Sequence, residues 1–206
     1  MLISYKHKFI FVHVYKVAGT SITKALEGFC HKPNLILHFL KRLGIKQNNH
    51  EYSTLHSHST AIEIKNNLPE HVFNTFFKFA FVRNPWDWQV SLYHYMLQNT
   101  AHHQYKLIKS MRNFDEYLEW RVREDKKLQK DFVTDHDGRF LVDFVGNYEN
   151  LVEDFDYVCK SLNIGASLPH LKTSMHGNYK RYYSDKTKRL IEEHFKEDID
   201  LFRYRF

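Results

Sequence analysis

The stretch from Phe9 to Ser21, F-I-F-V-H-V-Y-K-V-A-G-T-S, predicts both the fold class and the kind of ligand. Residues 9–15 form an apolar run rich in β-branched and aromatic side chains, which is typical of a buried strand. A short loop with a lysine, a glycine and two hydroxyls follows, and a helix begins after it. A helix N-terminus offers free backbone N–H groups and the positive end of the helix dipole. The order strand, loop, helix therefore predicts an anion site, and Lys16 favours a phosphate- or sulfate-bearing ligand.

Size and composition predict one domain, residues 1–206. Of the 206 residues 43% are hydrophobic, enough to bury a core and too many for a disordered chain. No segment is apolar over the length of a membrane span, and the N-terminus lacks the features of a signal peptide. The two cysteines, Cys30 and Cys159, fit isolated thiols, although a pairing stays open. We therefore expect a soluble, cytoplasmic protein with no stable membrane insertion.

The charge of the chain favours anionic partners. The formal net charge is +6 and the isoelectric point is about 9.1, which attracts phosphorylated or polyanionic molecules over long distances. The basic residues are interleaved with acids, however, as in residues 121–131, R-V-R-E-D-K-K-L-Q-K-D. That pattern is typical of a solvated helix face, and we expect no nucleic-acid partner.

Strands alternate with helices along the chain. The predicted strands are Phe9–Tyr15, Phe76–Val82 and Phe140–Val145. The predicted helices are Ser21–Phe29, a short Leu35–Leu43, Thr60–Leu68, Pro85–Gln98, Asn113–Arg121, Asn150–Leu162 and Ser184–Phe195, the last closing the chain. Alternation of this kind predicts an α/β fold, with a central parallel sheet covered by helices on both sides. Ligands of such sheets bind at the C-terminal ends of the strands, where Lys16 and Arg83 both fall.

The Lys16 loop differs from the ATP-binding loop of P-loop kinases. That loop needs G-x-x-x-x-G-K-[ST], with the lysine after the second glycine. Here there is one glycine, Gly19, and the lysine precedes it. The order disfavours an ATP-type kinase, while an ordinary turn with a solvent-exposed lysine stays open on this loop alone.

A second group of residues lies in F-V-R-N-P-W-D-W-Q-V-S-L-Y, residues 81–93. Arg83 follows a predicted strand, and Ser91 lies two turns along the next helix. A guanidinium and a hydroxyl that converge in this way suit a second phosphate, although an arginine such as Arg83, taken on its own, is more often a structural ion-pair residue. Two anion sites on successive strand–helix units point to a ligand with two separated phosphate groups.

Together these motifs resemble the sulfotransferases that use 3′-phosphoadenosine 5′-phosphosulfate (PAPS) and release PAP (3′,5′-bisphosphoadenosine). Y-K-V-A-G-T-S is similar to the family's 5′-phosphosulfate loop, and residues 81–93 are similar to its 3′-phosphate motif. Further stretches resemble the carbohydrate branch, which includes bacterial and heparan-type enzymes: H-S-T-A at 58–61, D-F-V-G-N-Y-E-N-L at 143–151, L-P-H-L-K at 168–172 and Y-K-R-Y-Y-S-D at 179–185. One departure is Tyr15, where the family commonly has proline. The resemblance implies a P-loop-like three-layer fold and, without a membrane anchor, a bacterial-type soluble enzyme.

The resemblance also implies roles for individual residues. Lys16 would hold the oxygen that bridges the sulfate and the 5′-phosphate. Residues of the same loop would bind that phosphate, and Arg83, Ser91 and Arg181 would contact the donor elsewhere, the first two at the 3′-phosphate. The implied donor-binding residues are Lys16, Ala18, Gly19, Thr20, Ser21, Arg83, Ser91 and Arg181. Sulfuryl transfer through a loose transition state can proceed on positioning and on the lysine charge, so no metal is expected.

The acceptor hydroxyl needs a base, and histidine has a suitable pKa near neutrality. His58 is preferred among the 15 histidines because it matches the family's H-x-T-A histidine, and His56 is the second choice. The two could instead form a metal pair, but no third ligand with suitable spacing is visible. The implied acceptor is a carbohydrate or glycoconjugate.

Candidates to line an acceptor groove are the aromatic and basic region 98–130 and the pair Tyr182 and Tyr183. Trp86, Trp88 and Trp120 are expected in the core. Two other function classes stay open: a kinase-like phosphotransferase, and a basic module that binds phosphate or nucleic acid without catalysis.

Overall fold

The computed structural model describes residues 1–30, 55–169 and 177–206. Its sheet has four strands in the order β1-β2-β3-β4, and the last three run parallel while β1 pairs with β2 in the antiparallel sense. The strands are β1 (Leu2–Ser4), β2 (Phe9–Val12), β3 (Phe77–Val82) and β4 (Phe144–Asn147). The predicted α/β class with a parallel centre is confirmed, and the short antiparallel edge strand was not predicted.

Helices connect and flank the strands. The described α-helices are α1 (Gly19–Leu26), α2 (Ala61–Asn67), α3 (Glu70–Thr75), α4 (Pro85–Gln98), α5 (Tyr105–Ser110), α6 (Phe114–Glu124), α7 (Leu151–Ser161), α8 (Asp185–His194) and α9 (Lys196–Leu201). Short 3-10 turns lie at Glu27–Phe29, Lys130–Phe132, Tyr148–Asn150 and Tyr179–Tyr182. Among the described residues, no helix has the length and apolarity needed to cross a membrane.

Local capping chemistry explains the helix starts that the sequence predicted. Thr60 and Glu63 form the predicted capping box of α2, with the Thr60 hydroxyl accepting from the Glu63 N–H and the Glu63 carboxylate accepting in return. Asn84 caps α4 by accepting from the N–H of Trp86 at 3.1 Å, and Pro85 occupies the first helical position. These two starts are therefore confirmed.

Other boundaries differ from the predictions. Strand β2 ends three residues before Tyr15, because the chain turns at Lys16, where φ is +64°. Strand β4 begins at Phe144 rather than Phe140, which forms an isolated bridge with Thr134 instead. Helix Ser184–Phe195 does not close the chain, since α9 follows it. Helices α3 and α5 were not predicted, and the predicted helix Leu35–Leu43 lies outside the described residues.

The core is built on the sheet. All four residues of β2 are buried, as are the last five of β3, which explains why both read as continuous apolar runs. Trp86 and Trp88 are buried as expected, whereas Trp120 is only partly buried and packs against the core. Cys30 and Cys159 are both free thiols.

A buried polar relay ties the end of β3 to the C-terminal helices. The Gln129 side-chain amide donates to the carbonyl of Arg83 at 2.7 Å and accepts from its N–H at 2.9 Å. The backbone N–H groups of Gln129 and Lys130 donate to the two oxygens of Asp198, each at 2.8 Å. Burial raises the pKa of the Asp198 carboxyl to about 7. Both oxygens can accept in either protonation state, so the relay fixes the backbone of Arg83.

We expect Asp198→Asn to destabilise the protein by about 1–3 kcal/mol, the usual cost of a buried donor without a partner. The new amide NH₂ would face one of the two backbone N–H groups. Urea unfolding measures the loss, and Asp200→Asn on the same helix is the control, because the Asp200 carboxylate forms an exposed ion pair with Lys196. Equal stability of the two variants would contradict the role of the relay.

Candidate functional site

A cleft of about 280 Å³ opens where the three parallel strands end. Strand β2 leads into the Lys16 loop, β3 ends next to Arg83, and β4 ends next to Tyr148. The side chains and backbone that line the cleft belong to His13, Tyr15, Lys16, Ala18, Gly19, Thr20, Ser21, His58, Arg83, Ser91, Tyr95 and Tyr148. The cleft therefore lies at the edge of the sheet where the sequence predicted a ligand.

The loop before α1 is built to leave the helix N-terminus open. Lys16 and Ala18 both have positive φ, 64° and 63°, which is uncommon for residues with a Cβ and marks local strain. Ala18 is the N-cap and has no side-chain oxygen that could accept from the first turn. The N–H of Ser21 donates to the Ala18 carbonyl at 2.9 Å, so the N–H groups of Gly19 and Thr20, together with the hydroxyls of Thr20 and Ser21, are the donors that this turn offers to an anion.

Gly19 is the first residue of α1, and its missing side chain has a packing reason. A Cβ built on Gly19 would lie 1.6 Å from Nε2 of His13 and 2.0 Å from its Cδ2. The imidazole therefore occupies the space that any larger residue would need. Glycine at this position therefore lets the His13 ring stay in the cleft beside the first turn of α1.

Lys16 places its ammonium group inside the cleft rather than in bulk water. Its Nζ lies 4.3 Å from the centre of the Tyr95 ring, within the range of a cation–π contact. Burial, followed by the positive charge of Arg83, lowers the pKa of Lys16 to about 8. An anion bound beside Lys16 would raise this pKa and so offset the effects of burial and of Arg83.

Arg83 joins the two predicted motifs. Its side chain is only 3% exposed, its Nη1 donates to the carbonyl of Lys16 at 3.3 Å, and its guanidinium carbon lies 4.0 Å from the centre of the Tyr148 ring. Nε also pairs with Asp87 at 2.7 Å. Arg83 therefore forms the structural ion pair that the sequence left open and lines the cleft as well.

Helix α4 contributes two further residues from one face. Ser91 is buried and lines the cleft, and Tyr95, one turn later, lies beneath the Lys16 ammonium. The sequence identified Ser91 but missed Tyr95. Tyr95 follows Ser91 by four residues, and this spacing, which places both on one helix face, was the signal that could have identified it.

Only one of the two candidate bases lines the cleft. His58 does, and its Nδ1 lies 3.0 Å from the carbonyl oxygen of His13. A carbonyl can only accept, so Nδ1 carries the proton and Nε2 of the neutral ring keeps a lone pair. His56 is exposed and not part of the cleft lining, and its backbone N–H donates to the Ser59 hydroxyl.

His13 was missed by the sequence analysis. It follows β2 directly, and its ring centre lies 4.5 Å from that of His58. Burial, followed by the nearby His58, lowers the pKa of His13 to about 3, so this ring is neutral at ordinary pH. A polar residue near the C-terminal end of an otherwise apolar parallel strand was the signal that could have identified it.

Tyr15 immediately precedes Lys16, and hydrogen bonds hold both its backbone and its side chain. Its carbonyl accepts from Trp88 Nε1 at 2.7 Å, and its hydroxyl accepts from Nη2 of Arg121 at 2.8 Å. Arg121 is fully buried and also pairs with Asp125 at 2.9 Å. Hydrogen bonds and packing therefore fix the entry to the Lys16 loop.

Several sequence candidates lie elsewhere. Arg181 is exposed on the 3-10 turn Tyr179–Tyr182 and does not line the cleft. Neither region 98–130 nor Tyr182 and Tyr183 contributes a lining residue, and the Tyr183 hydroxyl donates to the carbonyl of Trp86. Most of the stretch 168–172 falls outside the described residues. In the described ranges, no three His, Cys, Asp or Glu side chains cluster as a metal site requires.

Comparisons with known proteins identify a family by sequence and a similar fold by structure. A sequence model of the sulfotransferase family matches residues 1–205. The crystal structure of mouse sulfotransferase SULT7A1 complexed with PAP is similar with a TM-score of 0.56 and 17% identity, covering 98% of this chain and 89% of that chain. That likeness shows the fold alone, and it confirms the predicted P-loop-like class. No protein of curated function matches the sequence.

We expect Tyr15→Phe to lower stability by about 1–3 kcal/mol, because it leaves an N–H of the buried Arg121 without a partner. Urea unfolding measures the change. Tyr157→Phe is the control, since Tyr157 is 53% exposed and should change stability by less than about 0.5 kcal/mol. A Tyr15→Phe variant as stable as the parent would show that the hydroxyl does not hold the loop.

Proposed function

Because the chain belongs to the sulfotransferase family, we propose that it moves a sulfuryl group from PAPS to a hydroxyl of a carbohydrate or glycoconjugate acceptor. One observation carries this proposal. The α1 N-terminus with Lys16, the buried pair Arg83 and Ser91, and the imidazole of His58 all line the same cleft. We further propose that residues 1–206 act as a single sulfotransferase domain.

The cleft fits a donor with two phosphate groups. The open first turn of α1, the Gly19 backbone and the Lys16 ammonium suit the 5′-phosphosulfate end. Arg83 and Ser91 suit the 3′-phosphate, and the fork of guanidinium donors favours a phosphate over a neutral hydroxyl. PAPS supplies the activated sulfuryl group and becomes PAP.

Lys16 is assigned to the bond that breaks. As the S–O bond to the 5′-phosphate is cleaved, negative charge grows on the bridging oxygen, and the ammonium neutralises it. Lys16 is already desolvated and lies near a second cation, so its interaction with developing negative charge is stronger than it would be in water. We therefore propose that transfer needs no metal ion.

His58 is assigned to the bond that forms. As the acceptor oxygen bonds to sulfur, its proton passes to Nε2 of His58, which keeps a lone pair because Nδ1–H donates to the His13 carbonyl. The fixed carbonyl also orients the ring. The carbohydrate class rests on the resemblance of the motifs and on the aromatic rings of Tyr15 and Tyr95 in the cleft.

Two experiments test the proposal. Binding to immobilised PAP should be competed by PAPS and not by ATP, whereas a kinase-like enzyme would respond to ATP, and a nucleic-acid module would bind DNA with a steep dependence on salt. A screen with labelled sulfate over glycans, glycolipids and small alcohols then identifies the acceptor. Transfer should persist in EDTA, and its loss there would refute the metal-independent scheme.

We expect Lys16→Ala to lower kcat about 100-fold or more, the effect of removing one group that stabilises transition-state charge. The Kd for PAPS should rise less than about tenfold, because the phosphate-binding turn and Arg83 remain. Steady-state kinetics and equilibrium binding separate the two quantities. Lys24→Ala, exposed on helix α1 that follows the Lys16 loop, should match the parent. Equal losses in kcat and affinity for Lys16→Ala would contradict the assigned role.

Variants of His58 and His56 form a matched pair that tests which residue is the general base. His58→Gln should lower kcat about 100- to 10,000-fold, the usual contribution of a general base, while PAP binding is retained. His56→Gln should keep the parent kcat, because His56 does not line the cleft. If His56→Gln instead carried the larger loss, the assignment of the base would be wrong.

A further inference from the structure

His13 lies between the anion-binding turn and the proposed base. Its Nε2 is the atom nearest to the position of a Cβ on Gly19, and its ring centre is 4.5 Å from that of His58. The ring also stacks on Phe11, with centres 5.5 Å apart and planes 20° apart. Among the described residues, no protein group hydrogen-bonds to either ring nitrogen of His13.

The position of His13 coincides with the path of the transferred group. In the proposed reaction the 5′-phosphate is held at the first turn of α1, and the acceptor hydroxyl is held at His58. The sulfuryl group must pass between them. A side chain that touches Gly19 on one side and His58 on the other therefore borders the space through which sulfur moves.

The charge state of His13 suits a hydrogen-bond donor. Burial and the neighbouring His58 keep the ring neutral, so it carries one N–H and one lone pair. Nε2 faces the positive end of α1, where a bound anion presents oxygen acceptors. Those oxygens favour the tautomer with the proton on Nε2, and a neutral ring does not compete with His58 for the acceptor proton at ordinary pH.

We propose that Nε2–H of His13 donates a hydrogen bond to the sulfuryl oxygens during transfer. The inference rests on the proposed function and adds a residue to the same reaction. Because PAP lacks the sulfuryl group, this hydrogen bond exists with PAPS and not with PAP. That difference separates contact with the transferred group from a role in shaping the phosphate site.

The test compares His13→Phe, which keeps a planar ring on Phe11 without a donor, with His13→Gln, which keeps an N–H donor. We expect His13→Phe to lower kcat about 10- to 100-fold, the range for one hydrogen bond to a charged group. Its Kd for PAP should stay within twofold of the parent, and His13→Gln should recover much of the rate. His71→Phe, exposed on α3, is the control and should match the parent in both measurements.

Three results would overturn the inference: a His13→Phe variant as active as the parent, a loss of PAP affinity that equals the loss in kcat, or a His13→Gln variant no better than His13→Phe. A parent protein that neither binds PAP nor transfers sulfate would instead refute the proposed function.

A second variant, Gly19→Ala, tests the position of the His13 ring from the side of α1. The Cβ of Gly19→Ala needs the space of the His13 imidazole, so it should displace the donor from the cleft. We expect Gly19→Ala to lower kcat at least tenfold in the parent and less in a His13→Ala background. Equal losses in the two backgrounds would mean that the glycine acts independently of His13, and the inference would fail.

Discussion

The contact between the Arg83 guanidinium and the Lys16 carbonyl makes one site out of two motifs that lie 67 residues apart. It brings two cations into the same partly buried cleft, which costs free energy, as the lowered pKa of Lys16 shows. Asp87 pairs with Arg83, while the rings of Tyr148 and Tyr95 lie against Arg83 and Lys16. These partners hold the cations without neutralising both, and an anionic ligand would supply the remaining compensation.

The sequence predicted those parts of the site that are local in the chain. Lys16, Gly19, Thr20 and Ser21 follow directly on a buried strand and begin a helix, so one short stretch carries both the structural and the chemical signal. The unit that contains Arg83 repeats this order, with Asn84 and Pro85 as start signals. His58 was identified by resemblance to a family motif rather than by its physical pattern.

The parts that the sequence missed depend on contacts between distant elements. Tyr148 reaches Arg83 only because β4 pairs in parallel with β3, and no local pattern encodes that register. Strand β2 ends early because the backbone turns at Lys16 with positive φ, a conformation that propensity does not predict for lysine. Arg181 is a basic residue within an aromatic motif, but the sequence does not indicate where its side chain points. In the structure it lies away from the cleft.

Two neighbouring histidines of the cleft illustrate how environment gives different properties to the same residue type. His13 and His58 cannot both carry a charge easily with ring centres 4.5 Å apart. His13 is partly buried against Gly19 and Phe11, whereas His58 is exposed and donates its Nδ1–H to a carbonyl. Desolvation therefore keeps the ring of His13 neutral at ordinary pH. In the proposed reaction these environments suit His58 to accept a proton and His13 to stay a neutral hydrogen-bond donor, a division that neither residue would show in isolation.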